Sequence, residues 1–380
     1  YSLTGTPPDA SYCSALTKLS MNTLYRPTTS DKELGFVVAA LGNDELTYEK
    51  KHEFNFGVDA GFFNNRLNVT FDVYQRRNFD EIAPTVTQLY GTAYANVGSM
   101  KSWGEELSIS STNVKTNDFS WQTSLIYSHN RTEITDLYNQ GRVIDLVQGN
   151  GFAKQGYPAR ALFSIPFVGI NEKGNPVCIN EKGQATVGDL NFQERNNTDY
   201  LIYEGSTDPI YNGSLGNTFN YKGFHLNLFL TYAFGNVVRL DPVFKAKYND
   251  LTSMTHDFKN RWMQPGDENV TNVPGVVSRY EYEQNRTLLS TAYNAYNYTS
   301  VRTAKGDFIR LKEISLAYDF PHRWLENSPV NNISLKLQAT NLMLLYADKK
   351  LNGQDPEFMN AGGVASPMPK QFTLTLKLGL

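Results

Sequence analysis

Residues 53–76 read EFNFGVDAGFFNNRLNVTFDVYQR. Phe54, Phe56, Val58, Ala60 and Phe62 alternate with Glu53, Asn55, Gly57, Asp59 and Gly61. After Asn64-Asn65, Leu67, Val69, Phe71 and Val73 alternate with Asn68, Thr70, Asp72 and Tyr74. A period of two is the strand pattern, because successive side chains point to opposite faces of a sheet. Asn accepts positive φ, so Asn64-Asn65 predicts a two-residue hairpin turn. The turn sets the register. Phe62 falls opposite Leu67, Ala60 opposite Val69, Val58 opposite Phe71 and Phe56 opposite Val73, all on one face. Glu53 meets Arg76 on the other. A slip of one residue would turn every apolar side chain to the wrong face.

The pattern recurs outward from this hairpin. Glu105–Thr112 and Phe119–Tyr127 predict two strands joined by a polar turn near Lys115. Leu215, Phe219 and Tyr221 lead through Lys222-Gly223 into Phe224, Leu226, Leu228, Leu230, Tyr232 and Phe234, pairing Tyr221 with Phe224 and Leu215 with Leu230. Phe308–Phe320 changes phase between Leu311 and Ile314, which predicts a β-bulge near Lys312-Glu313. Ile333–Ala339 and Phe372–Leu380 complete about nine strands. Short connections (Asn64-Asn65, the Lys115 turn, Lys222-Gly223, Pro321–Asn332) alternate with long ones (78–102, 132–211, 235–306, 342–369). Outer-membrane barrels have short periplasmic turns and long extracellular loops. The expected fold is therefore all-β, a transmembrane antiparallel β-barrel. Asn64, Asn65, Lys222 and Gly223 are then periplasmic turns, and residues 1–52 form an extracellular loop region. An odd number of antiparallel strands cannot close, and an open edge in a bilayer is not tolerated. Further strands are expected from sequence upstream or from another chain.

Composition agrees. Tyr (23), Phe (22) and Trp (4) are abundant, yet mean hydropathy is -0.44. No run approaches the ~18–20 apolar residues of a membrane helix, which says nothing against strands. The net charge of -3 gives no reason to expect nucleic acid. Cys13 and Cys178 are far apart and suggest no metal site, and whether they pair is open. The chain opens at Tyr1, without Met or signal peptide, so an N-terminal part is expected to be processed away or to lie beyond this sequence. Hydrolase and nucleotide-binding motifs are missing, and no catalytic residue, metal or cofactor is expected. Glu53, Asp59 and Asp72 share one face and read as a hydrated channel wall rather than as catalytic carboxylates. His225, in phase with Asn220 and Asn227, reads the same way. The spacing of Phe244, Tyr248, Leu251, Phe258 and Trp262 predicts a short helix within 242–264, whereas 285–300 reads as an Asn- and Tyr-rich loop. Tyr90, Tyr94 and Trp103 are candidates to stack on a ligand; an aromatic belt at the lipid interface is the competing reading.

Several blocks resemble the SusC/RagA family of TonB-dependent transporters. Gly42–Glu49 with the Phe54–Arg76 hairpin is similar to the family's GNPxLxWE … GLDxGFxNNRI block. GSLGNTFNYKGFHLNLFLTYAFG (213–235), GDFIRLKEISLAYDFP (306–321), ATNLMLLY (339–346) with Asp355-Pro356-Glu357, and Pro369–Leu380 follow in the family's order. The resemblance implies the C-terminal part of a barrel of about 22 strands whose lumen holds an N-terminal plug. It implies import of an oligosaccharide or peptide, a SusD-like surface lipoprotein, and energy from TonB through the part not present here. Lipid and lipopolysaccharide would surround the wall. Two departures stand out. The chain ends in Leu380 rather than an aromatic residue. Asp189–Glu194 keeps only part of the family's Asp-x-Asn-x-Asp-Gly segment and lacks the Gly a calcium loop needs for its turn, so it reads as a polar loop. A passive, porin-like or structural barrel without energy coupling is the alternative function. A water-exposed adhesin would not carry the unbroken apolar stripes at 54–62, 224–234 and 372–380.

Overall fold

The structure is a computed structural model that describes residues 1–9, 16–25, 32–87, 91–138, 140–248, 254–326, 329–361 and 369–379. Ten strands form one antiparallel meander in which each neighbour in sequence is a neighbour in the sheet. They are β1 (Ser2–Thr6), β2 (Glu49–Phe62), β3 (Leu67–Thr87), β4 (Gly91–Lys115), β5 (Phe119–Leu137), β6 (Tyr211–Tyr221), β7 (Phe224–Phe234), β8 (Phe308–Asp319), β9 (Asn332–Ala347) and β10 (Gln371–Gly379). A separate hairpin, Lys18–Tyr25 with Lys32–Ala40, lies between β1 and β2.

The registers follow the turn chemistry. Phe62 pairs with Leu67, Ala60 with Val69, Val58 with Phe71, Phe56 with Val73 and Glu53 with Arg76. Asn64 (φ 53) and Asn65 (φ 61) are both left-handed, as the commonest two-residue hairpin turn requires. Arg66 N–H closes the turn on the Phe63 carbonyl at 3.3 Å. Lys222 (φ 46) and Gly223 (φ 87) do the same between β6 and β7, where Tyr221 pairs with Phe224 and Leu215 with Leu230. The bulge falls at Lys312: Phe229 and Leu230 of β7 pair with Glu313 and Leu311, leaving Lys312 unpaired on that side.

The structure corrects four expectations. Residues 78–102 are not a loop: β3 and β4 continue through most of it as a long projecting hairpin, with Thr87 opposite Gly91. Residues 1–52 are not all loop, because β1 adds to the edge of β2, with Ser2 opposite Glu53. The stretch 242–264 holds only the 3-10 turn His256–Asn260 among its described residues. The long helix is instead Arg286–Asn297, which buries Leu289, Ala292, Tyr293 and Tyr296 at helical spacing.

The sheet is open among the described residues. Among these residues β1 reaches only Glu49–Glu53 of β2, so no strand pairs with Phe54–Phe62 on that edge, and β10 pairs only with β9. Among the described residues no helix is long and apolar enough to cross a membrane. One sheet face is apolar and bare: Phe54 and Phe56 are each 58% exposed, Phe372 72% and Leu374 70%. A continuous apolar surface of this extent is not left to water. The packed core lies elsewhere, in the long connections. Val143, Leu146, Val147, Phe163, Ile165, Cys178, Leu201 and Ala295 form the largest cluster of a cap above the strands. Smaller clusters centre on Val238 with Leu351 and on Leu289 with Tyr293.

Candidate functional site

The apolar face carries two aromatic belts. The lower contains Trp121 stacked on Phe219 at 5.7 Å and Phe224 against Tyr318 at 4.4 Å, continued by Phe320 and Trp324. The upper contains Tyr127 beside Tyr211, His129 stacked on Tyr211 at 4.9 Å, and Tyr232, Phe234 and Tyr346. Between them run Leu226, Leu228 and Leu230, with Leu316, Leu337 and Leu374 in the adjoining strands. Phe224 and Phe234 lie ten residues apart on β7. A rise of about 3.3 Å per residue and a tilt of about 40° make that roughly 25 Å of height, the height of a barrel's apolar band. Rings with a polar edge settle at the two boundaries of such a band.

The opposite face is polar, and several of its side chains pair with one another. Thr70 Oγ1 donates to Asp59 at 2.7 Å. Glu53 pairs with Lys51 at 2.6 Å and Arg76 at 3.1 Å. His225 sits between Asn220 and Asp319, at 2.5 and 2.9 Å. Tyr74 is buried because it lies across Gly104: a Cβ there would stand 2.6 Å from the Tyr74 hydroxyl. Glu53, Asp59 and Asp72 share this face through the Glu53–Arg76 and Gly57–Asp72 pairings. Among the described residues no group of three or more His, Cys, Asp or Glu could hold a metal.

The cap is tied to the polar face. Arg310, on β8 opposite Thr231, reaches the Asp355 carboxylate through one guanidinium nitrogen at 2.5 Å from both oxygens and Glu357 at 3.1 Å. Two blocks 45 residues apart in sequence thus meet in a buried ion pair, which folds 348–361 against the wall. Deeper in the cap, Arg239 donates to the Phe163 and Thr299 carbonyls at 2.6 and 2.7 Å. Among the described residues no carboxylate hydrogen-bonds to it, and burial pushes its guanidinium pKa down to about 10. Asn171 and Asn180 open two like turns, each side-chain oxygen accepting from the amides two and four residues on. Glu194 is engaged by the amides of Arg195, Asn196 and Asn197 and Asn191 by that of Gln193, so the Asp189–Glu194 stretch serves as a turn.

The aromatic candidates separate. Trp103 stands opposite Gln75 and Arg131, in phase with Leu107 and Ile109, and so on the apolar face just above the upper belt. Lys101 Nζ lies 5.7 Å from its ring. Tyr94 lies near the tip of the β3–β4 hairpin, where its carbonyl accepts from Asn43 at 2.9 Å. Tyr90 lies outside the described residues, as does Cys13, whereas Cys178 is a free buried thiol. The Asn43–Tyr94 and Thr47–Asn96 bonds fasten the 42–49 block to this hairpin. Sequence reasoning missed that contact and the Arg310 clamp; the block order was their only trace.

No family model matches the chain. A TonB-dependent receptor of Formosa agariphila, P39, is 26% identical over 88% of this chain. The TonB-dependent receptor SusC of Bacteroides thetaiotaomicron is 26% identical over 89%. The chain spans about 35% of the length of P39 and 32% of SusC. A solved structure of the RagAB peptide transporter superposes on 99% of this chain and 39% of its own, with a TM-score of 0.74 at 23% identity. The belts, the polar wall and these likenesses agree: the chain is part of an outer-membrane β-barrel, similar in sequence to TonB-dependent receptors such as SusC and in fold to the RagAB transporter.

Proposed function

We propose that the complete protein imports a nutrient too large for a porin, an oligosaccharide or a peptide, in a TonB-dependent step and with a SusD-like surface lipoprotein. The observation that carries this reading is the likeness to TonB-dependent receptors along 88–94% of the chain. The geometry supports it. The polar face has the make-up of a hydrated channel wall, and the packed cap gives the mouth a shaped surface. Peptide cargo is what the RagAB name states of that protein. The short turns at Asn64-Asn65 and Lys222-Gly223 then face the periplasm and the cap faces the medium. Uptake of labelled oligosaccharides and peptides by cells carrying the full-length gene tests the reading. Import should stop when the inner-membrane proton gradient is collapsed or TonB is removed, and a surface lipoprotein should co-purify. Import that continues without either energy source would establish the porin-like alternative.

A further inference from the structure

The upper belt gives the outer wall a scale, and the rows above it are charged. Alternation on β2–β5 places Phe54, Gln75, Trp103 and Arg131 in one row. His52, Arg77, Lys101 and Glu133 form the next, on the same face as Leu107 and Ile109. They stand one and two rows above the His129–Tyr211 stack. At about 3.3 Å per residue and a tilt of about 40°, that is roughly 5–10 Å of height. This is the depth of the headgroups, since the polar layers add about 5–8 Å to each side of a hydrocarbon core.

Arg77 and Arg131 are exposed and have no carboxylate partner among the described residues. Lys101 is shared with Glu133 at 3.0 Å. Glu105, opposite His129, is a further acid on this patch, and Asp208, paired with Arg160 at 2.7 Å, lines the same hollow as Trp103 and Arg131. Asp80, higher on the hairpin, is held by Lys50 at 2.7 Å. The patch is thus not a uniform positive field. It offers two free guanidinium groups at defined places on a rigid wall, on either side of a half-buried indole. A guanidinium fork binds phosphate oxygens in pairs, and an indole settles where acyl chains meet headgroups.

We propose that Arg77 and Arg131, with Lys101 and Trp103 between them, form a binding strip for the phosphate of an outer-leaflet glycolipid. Its sugar–phosphate head would lie across the β3–β5 wall and its acyl chains along Leu107 and Ile109 below. The strip rests on the orientation given under Proposed function and is independent of the cargo.

Native mass spectrometry of the full-length receptor, extracted from outer membranes in mild detergent, counts retained phosphorylated glycolipid. Arg77→Gln/Arg131→Gln should retain about tenfold less, as expected when charge-assisted hydrogen bonds are lost. Lys115→Gln/Lys222→Gln, at the opposite rim, should retain the wild-type amount. Equal retention by the arginine variant and the wild type overturns the proposal. So does equal loss in both variants, which would show only a general effect of charge. Loss in the opposite-rim variant alone would reverse the orientation and overturn the strip while leaving energy-dependent uptake measurable. Heat-dependent electrophoretic mobility checks folding. If the Gln pair does not fold, Arg77→Lys/Arg131→Lys replaces it and should show a smaller loss, because an ammonium keeps the charge without the fork; no loss would again overturn the proposal.

Discussion

Replacing Asp355 with Asn keeps the shape of the Arg310 clamp and removes its charge. The Arg310 and Asp355 side chains are 4% and 3% exposed, so neither charge is solvated by water. Removing one partner of such a pair costs about 3–5 kcal/mol, most of it the cost of the abandoned charge. Glu357 remains 3.1 Å from Arg310, but at 39% exposure it is screened. The lower end of the range, about 3 kcal/mol, is therefore expected. That corresponds to a rise on the order of 100-fold in the population with 348–361 released from the wall. Lys349 and Lys350 lie in this segment, in a 3-10 turn anchored by buried Leu351. Limited trypsin digestion of the full-length receptor should accelerate at these lysines by a comparable factor while opening is fast relative to cleavage. Arg310→Met/Asp355→Leu leaves no charge behind and should be far less damaging than Asp355→Asn. Cleavage of Asp355→Asn at the wild-type rate would refute the reasoning. A double variant as labile as the sum of the two single ones would refute the desolvation argument in particular.

Leu228 lies midway between the belts, and Leu228→Arg should lower barrel stability in lipid by about 2–4 kcal/mol, read from urea titration of the folded, heat-modifiable form. Asn227→Arg, one residue away but facing Thr218 and Glu313, should change it far less. Gly174 and Gly183 occupy like turns at φ 78 and 75, but a Cβ on Gly174 would lie 2.4 Å from the Trp262 ring and one on Gly183 would touch nothing. Gly183→Ala should cost about 1–2 kcal/mol for the left-handed backbone, and Gly174→Ala about 1–3 kcal/mol more for overpacking, measured by hydrogen exchange in the cap. The Arg142 guanidinium beside Asp145 holds its carboxyl below the usual carboxylate range. The pair therefore contributes stability above the unfolded value near pH 4 and loses it as pH falls through the lower folded value. Asp145→Asn should flatten the acid limb of cap unfolding; an unchanged limb would remove the pair from the account.

What the sequence reveals depends on where each segment lies. In the bilayer, lipid on one side and water on the other impose strict alternation, so the β2–β3 and β6–β7 registers could be read to the residue, and the bulge at Lys312 showed as a change of phase. Above the bilayer both faces meet water. Asn78, Asp80 and Glu81 therefore read as loop although β3 continues through them. The helix Arg286–Asn297 was hidden for another reason. Its buried side is carried by Leu289, Ala292, Tyr293 and Tyr296 among Thr, Ser and Asn residues of weak helix propensity, so packing rather than local preference forms it. Of the candidate site residues, the turns at Asn64-Asn65 and Lys222-Gly223 carry the expected positive φ. Trp103 was visible as an aromatic residue, but its face depends on the β3–β4 pairing. Nothing in the sequence couples Arg310 to Asp355 except distance-blind block order.

The cap's own core bears on how such a protein can diversify. A mouth made of slack loops could accept almost any substitution without harm to the barrel. Here Leu146, Phe163, Cys178, Leu201 and Ala295 come from five different segments of the chain and pack into a single cluster. A change in any of them disturbs the others. Under the import function proposed above, new cargo preferences would have to arise on the shell of the cap, at exposed side chains such as Tyr280 and Val168. Its interior would drift slowly, under constraints that have nothing to do with what is carried.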